Sequence, residues 1–290
     1  MSLIDDIIMY ARENTCSDVH LTHELQPVLR KNGRIFELDV ACGKEDVEQA
    51  IYSMMSKEHV EKLRNGEDAD FCYTMGPGYR QRVNVYHQQG HLCAAIRILN
   101  DEIPTLKSLS LPAAIQELAN KPSGLVLITG PTGSGKSTTL AAMIDHINLT
   151  RKGHILTFED PIEYVHEHKK CIIHQREVGI DVQSFDLALK SALREDPDVI
   201  LVGEMRDPET IAAAVTAAET GHLVLSTLHT TGAANTIDRI IDAFPEGAKA
   251  QIRTQLAAVL RGVVTQTLVP LSDGSGRCEA FEILLVNEAA

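Results

Sequence analysis

Leu125-Val126-Leu127-Ile128-Thr129-Gly130-Pro131-Thr132-Gly133-Ser134-Gly135-Lys136-Ser137-Thr138 passes from an apolar segment through a glycine-rich turn into a helix-forming stretch, Thr139-Leu140-Ala141-Ala142-Met143-Ile144. Gly130, Gly135, Lys136 and Ser137 stand at the spacing of a phosphate-binding loop, and the strand before and helix after give that short pattern its context. Glycines let backbone N–H groups converge on phosphate, and the helix N-terminus adds partial positive charge. In such a loop, residues 130–138 cradle ATP, Lys136 reaches the β- and γ-phosphates and the Ser137 hydroxyl ligates Mg²⁺.

Working outward, Asp198-Val199-Ile200-Leu201-Val202-Gly203-Glu204 is an apolar strand ending in an acid. Ligands collect at the carboxyl ends of parallel strands, so Glu204 is expected near the phosphate loop and its Mg²⁺. A second acidic cluster, Glu159-Asp160-Pro161-Ile162-Glu163, follows the apolar run Ile155–Phe158. Hydrolysis needs a group that holds the attacking water, and Glu159 or Glu163 can serve. The plainer reading of Asp160-Pro161 is a helix opening. Thr220–Thr230 brackets a further strand with two histidines; His229 stands at the end where it can report the γ-phosphate, His222 at the opposite end. Arg80, Arg82 and Arg97 lie on expected strands near residue 90, with Arg80 and Arg82 on one face by alternation.

Short apolar strands at 125–129, 155–158, 199–202 and 223–225 alternate with helical stretches near 136–149, 184–195 and 208–220. That pattern argues an α/β fold with a parallel sheet covered on both faces. Ile252, Leu256, Val259, Leu260, Val263 and Val264 read as one more amphipathic helix. Residues 1–99 read as a small α+β module: an opening helix along Leu3, Ile4, Ile7, Ile8 and Ala11, a strand at Asp18–Thr22, and a hairpin about Asn32-Gly33. A helix from Lys44 to about Leu63 follows, then a strand at Asp70–Tyr73, a turn at Gly76-Pro77-Gly78 and strands at Arg80–Tyr86 and His91–Leu99. Residues 100–112, with Pro104 and Pro112 and no sustained period, read as a hinge before a second domain at 113–290.

The chain has 290 residues with 27 Lys plus Arg against 40 Asp plus Glu, a net charge of −13. Such an acidic balance argues against a nucleic-acid partner. Apolar runs fall short of the roughly 20 residues that span a bilayer, and Met1–Asp6 carries acids where a secretion signal carries bases, so a cytoplasmic protein is expected. Six cysteines are scattered without a CxxC pair and read as buried thiols. His20/His23 and His166/His168/His174 lack the partners that structural zinc requires.

Together, Gly130–Met143, His154–Glu167, Asp196–Asp207 and Ala217–Thr231 resemble, in order, the Walker A, Asp box, Walker B and His box of the type II/IV secretion ATPase superfamily, and specifically its type IV pilus retraction motors. The resemblance covers nearly the whole chain. It implies a PAS-like first domain hinged to a RecA-like P-loop ATPase domain, six copies in a ring, and ATP hydrolysis that drives a platform protein at the cytoplasmic face of the inner membrane. It also implies Glu163 as catalytic base, Glu204 as Walker B acid, His229 as phosphate sensor, and Arg82 and Arg97 as first-domain arginines that close onto nucleotide. Motors that extend fibres usually carry an added N-terminal domain and often a four-cysteine zinc insertion, which favours retraction here. The family's further C-terminal helices have no counterpart beyond Ala290. Rival readings are a nucleotide-gated regulatory module with little hydrolysis, a RecA-like DNA translocase and a transporter ATPase.

Overall fold

A computed structural model describes residues 2–23, 25–40, 43–76, 78–99, 102–272 and 277–286. The chain divides into two compact units, Met1–Asp101 and Glu102–Ala290.

The first unit runs α1 (Leu3–Glu13), β1 (Asp18–Leu21), β2 (Val28–Lys31), β3 (Arg34–Glu37), α2 (Lys44–Ser53), α3 (Lys57–Arg64), β4 (Ala69–Met75), β5 (Tyr79–Gln88) and β6 (His91–Ile98). Its antiparallel sheet has the order β3-β2-β1-β6-β5-β4. The β2–β3 turn places Asn32 and Gly33 both at positive φ, the conformation that makes Asn-Gly a hairpin signal. One sheet face takes Val83, Val85 and Ile96 into a core with Ile4, Ile7 and Ile8 of α1 and Val47 and Ile51 of α2. Arg80 and Arg82 alternate with buried Gln81 and Val83, as the strand period requires. The helix expected over 44–63 is two helices, because Ser56 accepts from the His59 N–H and caps a new start. Pro77, in the expected turn, and Asn100 and Asp101, in the expected hinge, lie outside the described residues.

The second unit runs α4 (Ala113–Ala119), β7 (Gly124–Thr129), α5 (Lys136–Thr150), β8 (Gly153–Glu159), β9 (Cys171–Glu177), α6 (Phe185–Ala192), β10 (Val199–Val202), α7 (Pro208–Glu219), β11 (Leu223–Leu228), α8 (Ala233–Asp242), α9 (Glu246–Val259), β12 (Leu260–Pro270) and β13 (Arg277–Leu285). Sheet order is β13-β12-β7-β11-β10-β8-β9, with every pair parallel except β12–β13. Successive residues of the central strands feed opposite cores. Leu125, Leu127, Leu156, Phe158, Ile200 and Val202 enter one, and Val126, Ile128, Ile155, Val199 and Leu201 the other. Each such side chain, fully buried, contributes about 1.5–3 kcal/mol, so burial on both faces fixes the strands that carry the loops above them.

The amphipathic helix expected through Val264 stops at Val259, and Leu260–Pro270 is strand β12. Val263, Val264 and Thr265 are β-branched and suit a strand. Gly262 lets that strand lie against α4, since a Cβ there would come within 2.8 Å of Leu118.

A candidate nucleotide site at the carboxyl edge of the sheet

The loop of residues 130–135 leaves the buried end of β7 and enters α5 at Lys136. Gly130, Gly133 and Gly135 have φ of 139°, 76° and 91°, backbone that other residues rarely adopt. At Gly130 a side chain is also excluded by space, because a Cβ would collide with the Gln266 carbonyl and come within 2.8 Å of Ser134 Oγ. Gln266 of β12 fastens the loop from the side, its Nε2 donating to Ser134 O at 2.6 Å. The result is a rigid, glycine-lined cradle at a helix N-terminus, whose form fits a phosphate chain. Thr132 and Ser137 are exposed on it.

Lys136 is 9% exposed, and its Nζ donates to Gly130 O at 2.9 Å and Pro131 O at 3.1 Å. Burial pulls its pKa below the ordinary lysine value, while the charges of Glu204 and Glu163 push the other way. Both carboxylates therefore act on one ammonium. Glu204 lies just past β10, with its Oε2 2.7 Å from Arg206 Nη2. His229, past the end of β11, places Nε2 3.3 Å from Glu204 Oε1 and Nδ1 3.5 Å from both Lys136 Nζ and Thr132 Oγ1. One imidazole thus joins the phosphate loop to the strand-end acid.

The two candidate bases differ. Glu159 ends β8 and its Oε1 accepts from Thr157 Oγ1 at 2.7 Å and Gln175 Nε2 at 3.2 Å. Glu163 sits farther along the loop, half-buried, where its charge reaches Lys136. Asp160-Pro161 opens no helix; residues 160–170 form an irregular loop. Thr138 of α5 meets this loop at Tyr164, hydroxyl to hydroxyl at 3.0 Å.

Arg82 and Arg97 lie on β5 and β6 of the first unit, directly opposite each other. Each rests on an acid. Arg82 donates to Asp70 through Nε at 3.2 Å and Nη2 at 2.7 Å, and Arg97 Nε is 3.4 Å from Asp18 Oδ1. Neighbouring Arg80 donates from Nε to Cys72 Sγ. Of the other histidines, His168 Nδ1 accepts from the Ile173 N–H, and His174 Nδ1 lies 2.9 Å from His154 Nε2. Among the described residues no group of three or more His, Cys, Asp or Glu is arranged to hold a metal ion. Sequence reasoning gave no role to Arg206 and Tyr164, which lie within the quoted motifs, or to Gln175 and Gln266, which lie outside them.

A family profile described as type II/IV secretion system protein matches residues 1–284. The chain belongs to the type II/IV secretion system protein family. Family members close to it include the "Type IV pilus retractation ATPase PilT" of Pseudomonas aeruginosa, 45% identical over 283 residues that make up 97% of this chain and 82% of that one. The "Twitching motility protein" of Neisseria gonorrhoeae is 48% identical over 264 residues, 91% of this chain and 71% of that one. The crystal structure of the pilus retraction motor PilT with bound ADP superposes with a TM-score of 0.94 at 49% identity, covering 100% of this chain and 84% of that chain. The Legionella pneumophila ATPase DotB follows at 0.86 and 32% identity, covering 99% of this chain and 81% of its own. These neighbours share the RecA-like arrangement of the second unit's sheet.

Proposed function

We propose that the chain is an ATP-hydrolysing motor that works as a ring of six copies and powers retraction of a type IV pilus. The observation that carries the reading is the meeting of Lys136, His229 and Glu204 at one glycine cradle, with the charge of Glu163 also acting on Lys136. It occurs in a chain 45% identical to a pilus retraction ATPase. Residues 130–138 bind the triphosphate, with Lys136 set against the β- and γ-phosphates. Ser137 and Glu204 are the residues that would hold Mg²⁺, and the exposed Ser137 hydroxyl beside the cradle suits that duty. When bound, Mg²⁺ neutralises phosphate charge and orients the γ-phosphate. Glu163 accepts the proton of the attacking water, whereas Glu159 is held by Thr157 and Gln175. His229, bonded to both the loop and Glu204, registers the state of the phosphates.

Arg82 and Arg97 add positive charge against the transferred phosphoryl group once the ring is assembled. Their partners Asp70 and Asp18 must then be given up. The Arg82–Asp70 pair is 38% and 45% exposed, and ion pairs so exposed are worth about 1 kcal/mol or less. Exchange for phosphate is therefore cheap. No helix among the described residues is long and apolar enough to cross a membrane; the motor would act from the cytoplasmic face on an inner-membrane platform protein, with no nucleic acid involved.

Steady-state phosphate release by the purified chain tests the reading. Lys136→Ala should lower it by roughly 100-fold or more, the scale of losing a principal charge stabiliser; undiminished turnover would refute the site. Light scattering with a non-hydrolysable ATP analogue should return the mass of six copies. Tight nucleotide binding with no phosphate release in the unaltered chain would favour a nucleotide-gated regulatory module instead.

A further inference from the structure

Strand β9 contributes two alternate side chains, Gln175 and Glu177, to the loop that bears Glu163. Gln175 makes bonds at three points: Nε2 donates to Tyr164 O at 2.8 Å and to Glu159 Oε1 at 3.2 Å, and Oε1 accepts from the His166 N–H at 2.7 Å. Glu177, 5% exposed, accepts from the Ile162 N–H at 3.1 Å through Oε2. The residues immediately before and after Glu163 are therefore both tied to β9 by their backbones. On the far side Tyr164 is tied by its hydroxyl to Thr138 of α5. An irregular loop has no ladder of its own to fix a side chain, so its geometry is only as firm as such ties.

We propose that Gln175 and Glu177 are positioning residues for the hydrolysis step, holding the Ile162–Tyr164 backbone so that Glu163 faces the phosphate loop. The inference rests on the reading of Glu163 as the base. Gln175 also occupies Glu159, which keeps the second carboxylate from exchanging roles with the first. Both side chains bond the backbone of the loop that bears Glu163, so the expected loss is of alignment rather than of nucleotide affinity.

Gln175→Met keeps the bulk and removes every hydrogen bond. It should lower kcat for phosphate release by roughly 10- to 100-fold, the scale of a misplaced catalytic group, while affinity for a fluorescent ADP analogue stays within about two-fold. The deciding measurement is a double-variant cycle with Glu163→Gln. If Gln175 works through Glu163, adding Gln175→Met to Glu163→Gln should lower kcat no further. Full multiplication of the two losses, or a matching loss of ADP-analogue affinity in Gln175→Met, would overturn the proposal. Should Glu163→Gln alone retain full turnover, the base assignment has failed, a result the single variant reports separately. If Gln175→Met does not fold, Glu177→Leu enters the same cycle with the same expected outcomes, and its unchanged kcat would equally overturn the proposal.

Discussion

The two ends of β11 carry the same residue in different employment. At the amino end His222 Nδ1 lies 2.9 Å from Ala217 O and 3.1 Å from Thr220 Oγ1, so its ring bonds to the turn that closes α7. At the carboxyl end His229 touches Thr132 and Lys136 of the phosphate loop and Glu204 beyond β10. Parallel strands explain the contrast. β7, β10 and β11 all end at one edge, so that edge gathers loops distant in sequence and the N-terminus of α5, while the other edge receives helix C-termini. A histidine at the first edge finds an acid, a lysine and a phosphate cradle; at the second it finds a helix end to satisfy. Substitutions at the two edges should therefore separate into losses of turnover and losses of stability.

The largest expected effect is at the carboxyl edge itself. Glu163→Gln should lower turnover by roughly 100- to 10,000-fold, the span of general base catalysis, with nucleotide still bound. Glu159→Gln should cost only a few-fold, because its carboxylate is already engaged by Thr157 and Gln175. Comparable losses from both in a phosphate-release assay would mean that the edge does not distinguish its acids as described.

His166, in the loop that feeds this edge, should register in stability instead. Burial, opposed by Asp145 and assisted by Lys169, drives its pKa from 6.5 down to about 4. A depressed histidine is neutral when folded, so below pH 6.5 the unfolded chain binds the extra proton and stability falls until the pH passes the folded value. Between pH 7.5 and 5.0 this amounts to about 2 kcal/mol. Urea unfolding should show that increment in the unaltered chain and not in His166→Gln; equal pH dependence in the two would show that His166 titrates normally.

Legibility in the sequence followed burial. β7, β8, β10 and β11 stand in the interior of the sheet, and their continuous apolar runs announced them, as did the glycine loop. β9 went unread because it is an edge strand, and His174, Gln175, Arg176 and Glu177 gave it no apolar run. β12 went unread because its valines also fit the period of the helix before it. The residues that matter most to the loops, Gln266 and Gln175, act on backbone groups rather than at motif spacing, and only tertiary geometry reveals such work. The same holds for the acids beneath Arg82 and Arg97: Asp70 and Asp18 are 12 and 79 residues away in sequence and are brought into place by strand register.

The most direct attack on the comparison exchanges nothing but its two histidines. His229→Ala removes the link between the phosphate loop and Glu204, and turnover should fall about ten-fold, the value of a charge-assisted hydrogen bond. Its melting temperature should hardly move, since the side chain is 44% exposed. His222→Ala should leave turnover alone and cost about 0.5–1 kcal/mol through the lost closure of α7, read as a drop of a few degrees in the melting temperature. If His222→Ala instead slowed phosphate release as much as His229→Ala, the amino edge would be coupled to the chemistry, and the division of labour along β11 would be wrong.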